Sequence, residues 1–339
     1  MRHRPFAILG LLPILAACMR YEPGPPAKSL GAADSGRLYF ESLDPFDFVG
    51  MTDGSAKSVV GVGDLEFPNG AARSRGLVPA VIVLHGSGGV SLRHRRRASE
   101  LRKLGFATFV IDTFTPRNLM SSIYDQAQVS SQGMTADVYA ALRLLATHPR
   151  LDGKRIGIMG FSKGGIVATY ASVERLANFY DALSGGHRFA FAIAYYPLCQ
   201  LNLDTKDRLA GSLLLLLGEK DDYTPPEPCV RMANSLKRRG QSIEYELYPG
   251  AYHGFDGTGS LRFLSGAVTV RDSSDCCRVF VDAKGATRTL QSKQSLSTVS
   301  ERIAYLRSCA VRGVRVGGNA AARRASWDRI KAFVGPFIR

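Results

Sequence analysis

The segment 155–165 constrains the fold more than any other part of the sequence. Its apolar, β-branched first half leads into Gly-Phe-Ser-Lys-Gly-Gly, and an apolar helical pattern follows at 166–171. A strand that ends in a strained one-residue turn before a helix is the sequence form of a nucleophile elbow. Gly160 and Gly164 are expected where strand and helix approach too closely for Cβ atoms. We therefore predict that Ser162 is an exposed nucleophile, the alternative being an ordinary serine in a glycine-rich turn.

Buried strands and helices alternate along most of the chain. Two strands are expected near 37–40 and 58–62, and continuous apolar runs predict further strands at 80–84, 107–112, 189–195, 212–217 and 243–248. Helical spacing predicts helices at 95–104, 135–146, 228–239 and 320–334. Such alternation favours the α/β class, with a mostly parallel sheet and helices on both faces. The irregular segment 256–318 is too long for an ordinary connection and is interpreted as an inserted, cap-like excursion.

The composition is that of a globular protein with a large basic excess. The 339 residues are 45% hydrophobic and 22% charged, with a formal net charge of +15. The basic residues are scattered apart from one run, Arg93–Arg97, and no zinc-finger or RNP-type motif accompanies them, so a nucleic-acid partner is not expected. We interpret the run as a solvated helix face, near anionic lipid if it meets a membrane.

The N-terminal sequence has the pattern of an export signal. A basic start with Arg2 and Arg4 is followed by the short apolar stretch 6–16 and by Leu-Ala-Ala-Cys ending at Cys18. This ending resembles a bacterial lipobox, whose cysteine is acylated and anchors the protein to the lipid bilayer. Residues 1–18 are therefore predicted to be a lipoprotein signal peptide, with a plain secretory signal as the alternative. Met19, which is not an aspartate, favours the outer membrane by analogy with enteric bacteria.

Two further divisions follow from the export signal. Residues 19–36, rich in Pro, Gly and Ala, are expected to form a tether, and 37–339 the folded domain. The predicted location is the periplasmic side of the cell envelope.

Five cysteines follow the signal, and an oxidising compartment favours disulfides over metal ligation. Cys199 and Cys229 lie just beyond two neighbouring strand ends, close enough for a bridge, so we predict that they pair. Cys309 is expected to pair with Cys276 or Cys277, with a vicinal Cys276–Cys277 bond as the alternative. Because five is odd, at least one thiol is left over.

Two loops after later strands supply partners for a serine nucleophile. Gly-Glu-Lys-Asp-Asp-Tyr-Thr-Pro follows the leucine-rich strand and contains Asp221 and Asp222, and Tyr-Pro-Gly-Ala-Tyr-His-Gly-Phe follows the last strand and contains His253. Open α/β sheets bind ligands at the carboxyl ends of their strands. A serine hydroxyl requires a base, and the base an orienting acid, so these residues are candidates for both roles.

The three motifs, in this order, resemble the dienelactone hydrolase family of α/β-hydrolases over roughly residues 58–255 and again over the last predicted helix. The resemblance implies an α/β-hydrolase fold with Ser162 as nucleophile, Asp221 as acid and His253 as base, Asp222 being the fallback acid. It also implies an oxyanion hole made by the backbone N–H groups of Ser87 and Lys163. His85 is then a loop-shaping residue.

Two departures from the family pattern concern the substrate. The enzyme that names the family has a cysteine at the elbow and a glutamate where Gly86 stands. A serine suits ordinary esters, so dienelactone is not the expected substrate.

Arg117 follows a strand and could meet a substrate carboxylate, with a structural role as an equal alternative.

The sequence thus predicts a lipid-anchored hydrolase that cleaves small-molecule carboxylic esters or lactones through an acyl-serine intermediate. No metal or organic cofactor is called for. A serine peptidase of prolyl-oligopeptidase type has the same residue order and is the enzymatic alternative. A surface-binding lipoprotein that kept the scaffold without activity is the alternative from another class.

Overall fold

The computed structural model describes residues 21–69, 76–270 and 277–338. In these ranges the strands are β1 (Gly36–Asp44), β2 (Lys57–Glu66), β3 (Val78–Leu84), β4 (Ala107–Asp112), β5 (Leu151–Phe161), β6 (Phe191–Tyr195), β7 (Ser212–Gly218), β8 (Ile243–Tyr248), β9 (Arg262–Val270), β10 (Val279–Val281), β11 (Thr287–Thr289) and β12 (Ala310–Val316). The helices are α1 (Leu92–Lys103), α2 (Ser131–Ala146), α3 (Lys163–Ser172), α4 (Glu174–Asn178), α5 (Asp181–Ser184), α6 (Glu227–Arg238), α7 (Val299–Arg307) and α8 (Ala320–Ile338).

Eight of the strands form one sheet in the order β1-β2-β4-β3-β5-β6-β7-β8. β1 pairs antiparallel with β2, and β2 antiparallel with β4. Every other neighbouring pair in the sheet is parallel. The predicted α/β-hydrolase class, with a mostly parallel sheet, is confirmed.

The leucine-rich strand shows why the central strands read as continuous apolar runs. In β7, Leu213, Leu215 and Leu217 belong to one hydrophobic core, whereas Leu214 and Leu216 belong to another on the opposite face. Helices α2, α3 and α6 cover the first core, and α1 and α8 cover the second. Because both faces of the sheet are covered, successive side chains are all buried and no polar alternation is visible in the sequence.

The described residues of the segment 256–318 form an antiparallel ribbon of β9 and β12, with α7 and the small β10–β11 pair between these two strands in sequence. The ribbon is attached to the loops that follow β7 and β8. His253 forms a backbone bridge with Val316, and Asp222 accepts hydrogen bonds from the backbone N–H and the guanidinium of Arg315, at 2.7 and 2.8 Å. The excursion is therefore placed directly beside the candidate site.

Two disulfide bonds cross-link the described residues. One joins Cys199, after β6, to Cys229 in α6, and the other joins Cys277 to Cys309. The predicted use of disulfides is confirmed. The second bond ties together the two chain segments next to the far end of the β9–β12 ribbon, and Cys276 lies outside the described residues.

The described part of the predicted tether packs on the domain instead of extending freely from it. Leu30 is buried, and its N–H donates to the Oγ1 of Thr147 at 2.9 Å. The N–H of Ala27 donates to the carbonyl of Tyr39 in β1 at 2.8 Å. Cys18 and the rest of the predicted signal peptide lie outside the described residues. Among the helices that are described, none combines the length and the apolar character needed to cross a membrane.

The basic run in α1 is only partly solvated, which corrects the sequence interpretation. Arg97 is 2% exposed, and its guanidinium lies 4.8 Å from the ring centre of Trp327 in α8. His94 is buried as well. A cation that packs over an aromatic face can be buried, and charge alone does not reveal this.

Candidate active site

The elbow predicted around Ser162 is present between β5 and α3. Ser162 has φ +54° and ψ −115°, a strained backbone conformation for a residue with a Cβ. A Cβ at Gly160 would overlap the backbone of Gly164, and one at Gly164 would overlap the carbonyl of His85. The N–H of Ser162 donates to the carbonyl of Tyr195 at 2.9 Å, which fixes the turn to β6.

His253 and Asp221 are brought to the serine from two other strand ends. The Nε2 of His253 lies 2.9 Å from the Oγ of Ser162, and its Nδ1 lies 2.9 Å from the Oδ2 of Asp221. Both Asp221 and His253 are buried, whereas Ser162 is partly exposed. When Nδ1–H donates to the carboxylate, Nε2 is left with a lone pair that can accept the serine proton.

The carboxylate of Asp221 is held by its own loop. Its Oδ1 accepts from the backbone N–H groups of Tyr223 and Thr224, at 2.9 and 2.8 Å. The Oγ1 of Thr224 lies 2.9 Å from the Oδ2 of Asp221, 3.0 Å from the Nδ1 of His253 and 3.0 Å from the carbonyl of Tyr196. These hydrogen bonds therefore hold the carboxylate of Asp221 in its orientation towards the imidazole.

The neighbouring Asp222, the fallback acid, has a different partner. Its carboxylate accepts from the backbone N–H and the guanidinium of Arg315 in the β9–β12 ribbon, whereas the Nδ1 of His253 contacts Asp221. The geometry thus distinguishes the two adjacent aspartates.

The loop after β3 passes close to the serine, as the expected oxyanion hole requires. A Cβ at Gly86 would lie 2.7 Å from the carbonyl oxygen of Phe161 and 3.0 Å from the Cβ of Ser162. A glutamate at this position therefore does not fit the present backbone. Ser87 follows directly, and Lys163 is the first residue of α3, so its N–H has no acceptor inside the helix.

His85 shapes this loop. It is 1% exposed, its Nδ1 lies 2.7 Å from the carbonyl of Gly86, and its Nε2 accepts from the N–H of Thr113 at 3.1 Å. Burial lowers the pKa of His85, so the neutral ring that can make both contacts is favoured.

Arg117 is fully engaged in the fold. Its guanidinium contacts Asp44 at 3.0 Å and Asp137 at 2.7 Å, and it donates to the carbonyl of Thr113 at 2.7 Å. Its side chain is 7% exposed. These contacts are those of a structural arginine, which was the alternative to a role of Arg117 in binding a substrate carboxylate.

A cluster behind His253, in which Tyr196 and Asp256 are buried and Arg93 is exposed, was not identified from the sequence. Tyr196 donates to the Oδ1 of Asp256 at 2.5 Å, and Arg93 donates to both groups, at 3.1 and 3.3 Å. The Tyr196 ring lies against His253, with ring centres 4.6 Å apart, and Tyr223 lies against the imidazole at 4.7 Å. Tyr196 also has φ +38°. The sequence feature that points to this cluster is Asp256, three residues after His253.

No group of three or more His, Cys, Asp or Glu side chains in the described ranges is arranged to hold a metal ion.

Residues 68–261 match the family model described as the dienelactone hydrolase family, which is more than half of the chain. The chain belongs to the dienelactone hydrolase family. The expected class, a hydrolase that acts on ester or lactone bonds, is confirmed by this membership.

Two relatives are similar to this chain over about half of its length. A probable 2-oxo-3-(5-oxofuran-2-ylidene)propanoate lactonase of a Bradyrhizobium species is 27% identical over 190 residues, which cover 53% of this chain and 74% of that protein. A putative carboxymethylenebutenolidase of a Synechocystis species is 25% identical over 195 residues, covering 53% and 76%.

A solved structure supports the fold. The crystal structure of P91, a dienelactone hydrolase-like promiscuous phosphotriesterase from metagenomic libraries, aligns with a TM-score of 0.50 at 14% identity, covering 90% of this chain and all of that one. This likeness concerns the fold alone.

Proposed function

We propose that this dienelactone hydrolase family member cleaves carboxylic esters or lactones through an acyl-enzyme on Ser162. The observation that carries the proposal is the continuous chain of contacts from Asp221 through His253 to the Oγ of Ser162. A scaffold that had lost its activity would have no requirement for both of these contacts. The family relatives named for lactone hydrolysis support the same bond type.

In the proposed reaction each group has its own step. Ser162 Oγ attacks the ester carbonyl carbon while Nε2 of His253 takes the hydroxyl proton. Asp221 keeps the imidazole in the required tautomer and stabilises the imidazolium that forms. The backbone N–H groups of Ser87 and Lys163 donate to the oxyanion. The tetrahedral intermediate collapses as His253 gives its proton to the leaving alkoxide, which departs as the alcohol.

The second half of the reaction repeats these roles with water. His253 takes a proton from water, whose oxygen attacks the acyl carbon, and then returns a proton to Ser162 Oγ as the acid departs. In a lactone, the leaving alcohol is part of the acyl group, so one hydroxy acid is the product.

The proposal is tested by the hydrolysis of p-nitrophenyl acetate and a panel of lactones and peptides by the purified protein. We expect ester turnover in the wild type and in Ser58→Ala, an exposed serine on β2, and loss of turnover in Ser162→Ala on the order of 10⁴-fold or more. Turnover that survives in Ser162→Ala would contradict the assignment. Cleavage of peptides in preference to esters would instead favour the peptidase alternative.

We also propose that the protein is exported and lipid-anchored through Cys18 on the periplasmic side of the cell envelope. The lipobox-like sequence supports this location, and the two disulfides fit an oxidising compartment. Metabolic labelling with palmitate tests it. Label is expected in the wild type and not in Cys18→Ser, and an unlabelled wild type would contradict the proposal.

A further inference from the structure

The side chain of Lys163, the residue after the nucleophile, is buried at 5% exposure. Its Nζ donates to the backbone carbonyls of Gln126, at 2.8 Å, and of Val129. None of the ion pairs in the described part of the chain includes this ammonium. A buried cation that lacks a carboxylate partner costs stability, so stability does not explain why a lysine stands here.

The segment that receives these bonds also holds the other side of the oxyanion hole. The Oγ of Ser87 donates to the Oε1 of Gln126 at 2.9 Å, and the Ser87 carbonyl accepts from the N–H of Ser122 at 2.8 Å. The Nε2 of Gln126 also donates to the hydroxyl of Tyr223 at 3.3 Å. The segment 121–129 therefore joins Ser87 to Lys163, the two residues whose N–H groups are assigned to the oxyanion.

We propose that the Lys163 ammonium is a positioning group that clamps the segment 121–129 and thereby holds the oxyanion hole in its working geometry. The proposal rests on the proposed function, since it concerns the same oxyanion. A charged donor makes stronger hydrogen bonds to carbonyls than a neutral amine does. Loss of the charge loosens the clamp without removing either backbone donor, so it lowers kcat more than it changes KM.

The clamp is sensitive to alkaline pH. Burial lowers the pKa of Lys163 to about 8, with the carboxylate of Asp125 opposing the shift. The other titratable groups that face this region are His85 at the end of β3 and Tyr223 on the acid loop, and the pKa of Tyr223 is raised by burial. The ammonium is thus present at neutral pH and is lost as the pH rises through about 8.

The sign of the stability effect separates this loss from unfolding. The pKa of Lys163 is lower in the folded protein than its ordinary value of 10.5, so between these values the unfolded chain binds more protons. Its titration therefore makes the fold more stable as the pH rises, not less. A decline of kcat in this window with an intact fold reports on the clamp.

The test compares kcat and KM for a neutral p-nitrophenyl ester between about pH 6 and about pH 10 in wild type, Lys163→Met and the control Lys154→Met, an exposed lysine on β5. Wild type and the control are expected to lose kcat above about pH 8. Lys163→Met is expected to have kcat lower by roughly tenfold at neutral pH, KM within about twofold, a melting temperature no lower than wild type, and no alkaline decline.

A wild-type alkaline decline that persists unchanged in Lys163→Met would overturn the clamp, and so would equal kcat in the two proteins. If Lys163→Met does not fold, the clamp is tested by the pH profile of the wild type and by the activity of Gln126→Met. A wild type without an alkaline decline in kcat, or a Gln126→Met variant with the full wild-type kcat, would also overturn the clamp. These results leave the proposed function standing when Ser162→Ala is inactive. Turnover that survives in Ser162→Ala contradicts the proposed function instead.

Discussion

The Nε2 of His253 lies 2.9 Å from the Oγ of Ser162, although 91 residues separate them in the chain. Their meeting depends on the parallel order β5-β6-β7-β8, which puts the carboxyl ends of these strands at one edge of the sheet. Asp221 follows β7, the neighbour of β8 in the sheet, and contacts the other ring nitrogen of His253, Nδ1, at 2.9 Å. The site is thus a product of sheet topology and of three short loops.

The two adjacent aspartates are expected to differ in their effect on activity. Asp221→Asn replaces the acceptor of the Nδ1–H with an amide that favours the wrong imidazole tautomer, so kcat is expected to fall on the order of 10³–10⁴-fold. Asp222→Asn removes only a partly exposed ion pair with Arg315 and is expected to change kcat by less than about threefold. Steady-state kinetics on both variants checks this, and the reverse ranking would assign the acid role to Asp222.

The hydroxyl of Tyr196 is expected to matter for stability and for the position of His253. Tyr196→Phe leaves the Asp256 carboxylate buried without its 2.5 Å donor, which is expected to cost about 1–3 kcal/mol in the free energy of unfolding. The Tyr196 ring still lies against His253 but has lost the hydrogen bond that holds it in place. We therefore expect kcat to drop while KM is retained. Urea unfolding and kinetics test this, with Tyr245→Phe on β8 as the control. Wild-type values of both quantities in Tyr196→Phe would show that the hydroxyl has no such role.

The Cys199–Cys229 bond closes a loop with a sequence separation of 30 between β6 and α6. Replacing both cysteines with serine is expected to lower the free energy of unfolding by about 3–4 kcal/mol in the chain-entropy model. Urea unfolding of the oxidised wild type and of the double variant measures the difference. Peptide mapping without reductant should recover the linked pair, whereas free thiols at both positions, or equal stability of the two proteins, would contradict the prediction.

Much of the architecture could be predicted from the sequence because its signals are local. Strand β7 is an uninterrupted apolar run, and the glycines around Ser162 mark a turn that only small residues permit. The loops that contain Asp221 and His253 directly follow strands, so their meeting follows once the sheet is taken as parallel.

The remaining features depend on contacts that no local pattern encodes. Arg93 and Arg97 looked like solvated charges. Arg93 does stay exposed but pairs with Asp256, whereas Arg97 is buried against Trp327, and both partners are distant in sequence. Leu30 sits in a Pro- and Gly-rich stretch, yet the Thr147 hydroxyl and the surrounding core hold it against the domain. The burial of the Lys163 side chain likewise depends on where the segment 121–129 passes, which is set by tertiary packing.

The most direct test of the central claim is covalent labelling of the wild type with a fluorophosphonate, followed by intact-protein and peptide mass spectrometry. A serine activated by His253 and Asp221 attacks phosphorus as it would an ester carbonyl, and it remains phosphonylated. We predict one added label for each chain, located on the peptide that contains Ser162, and no label in Ser162→Ala or in protein unfolded beforehand. A label on another residue, or no label on protein that hydrolyses esters, would contradict the account.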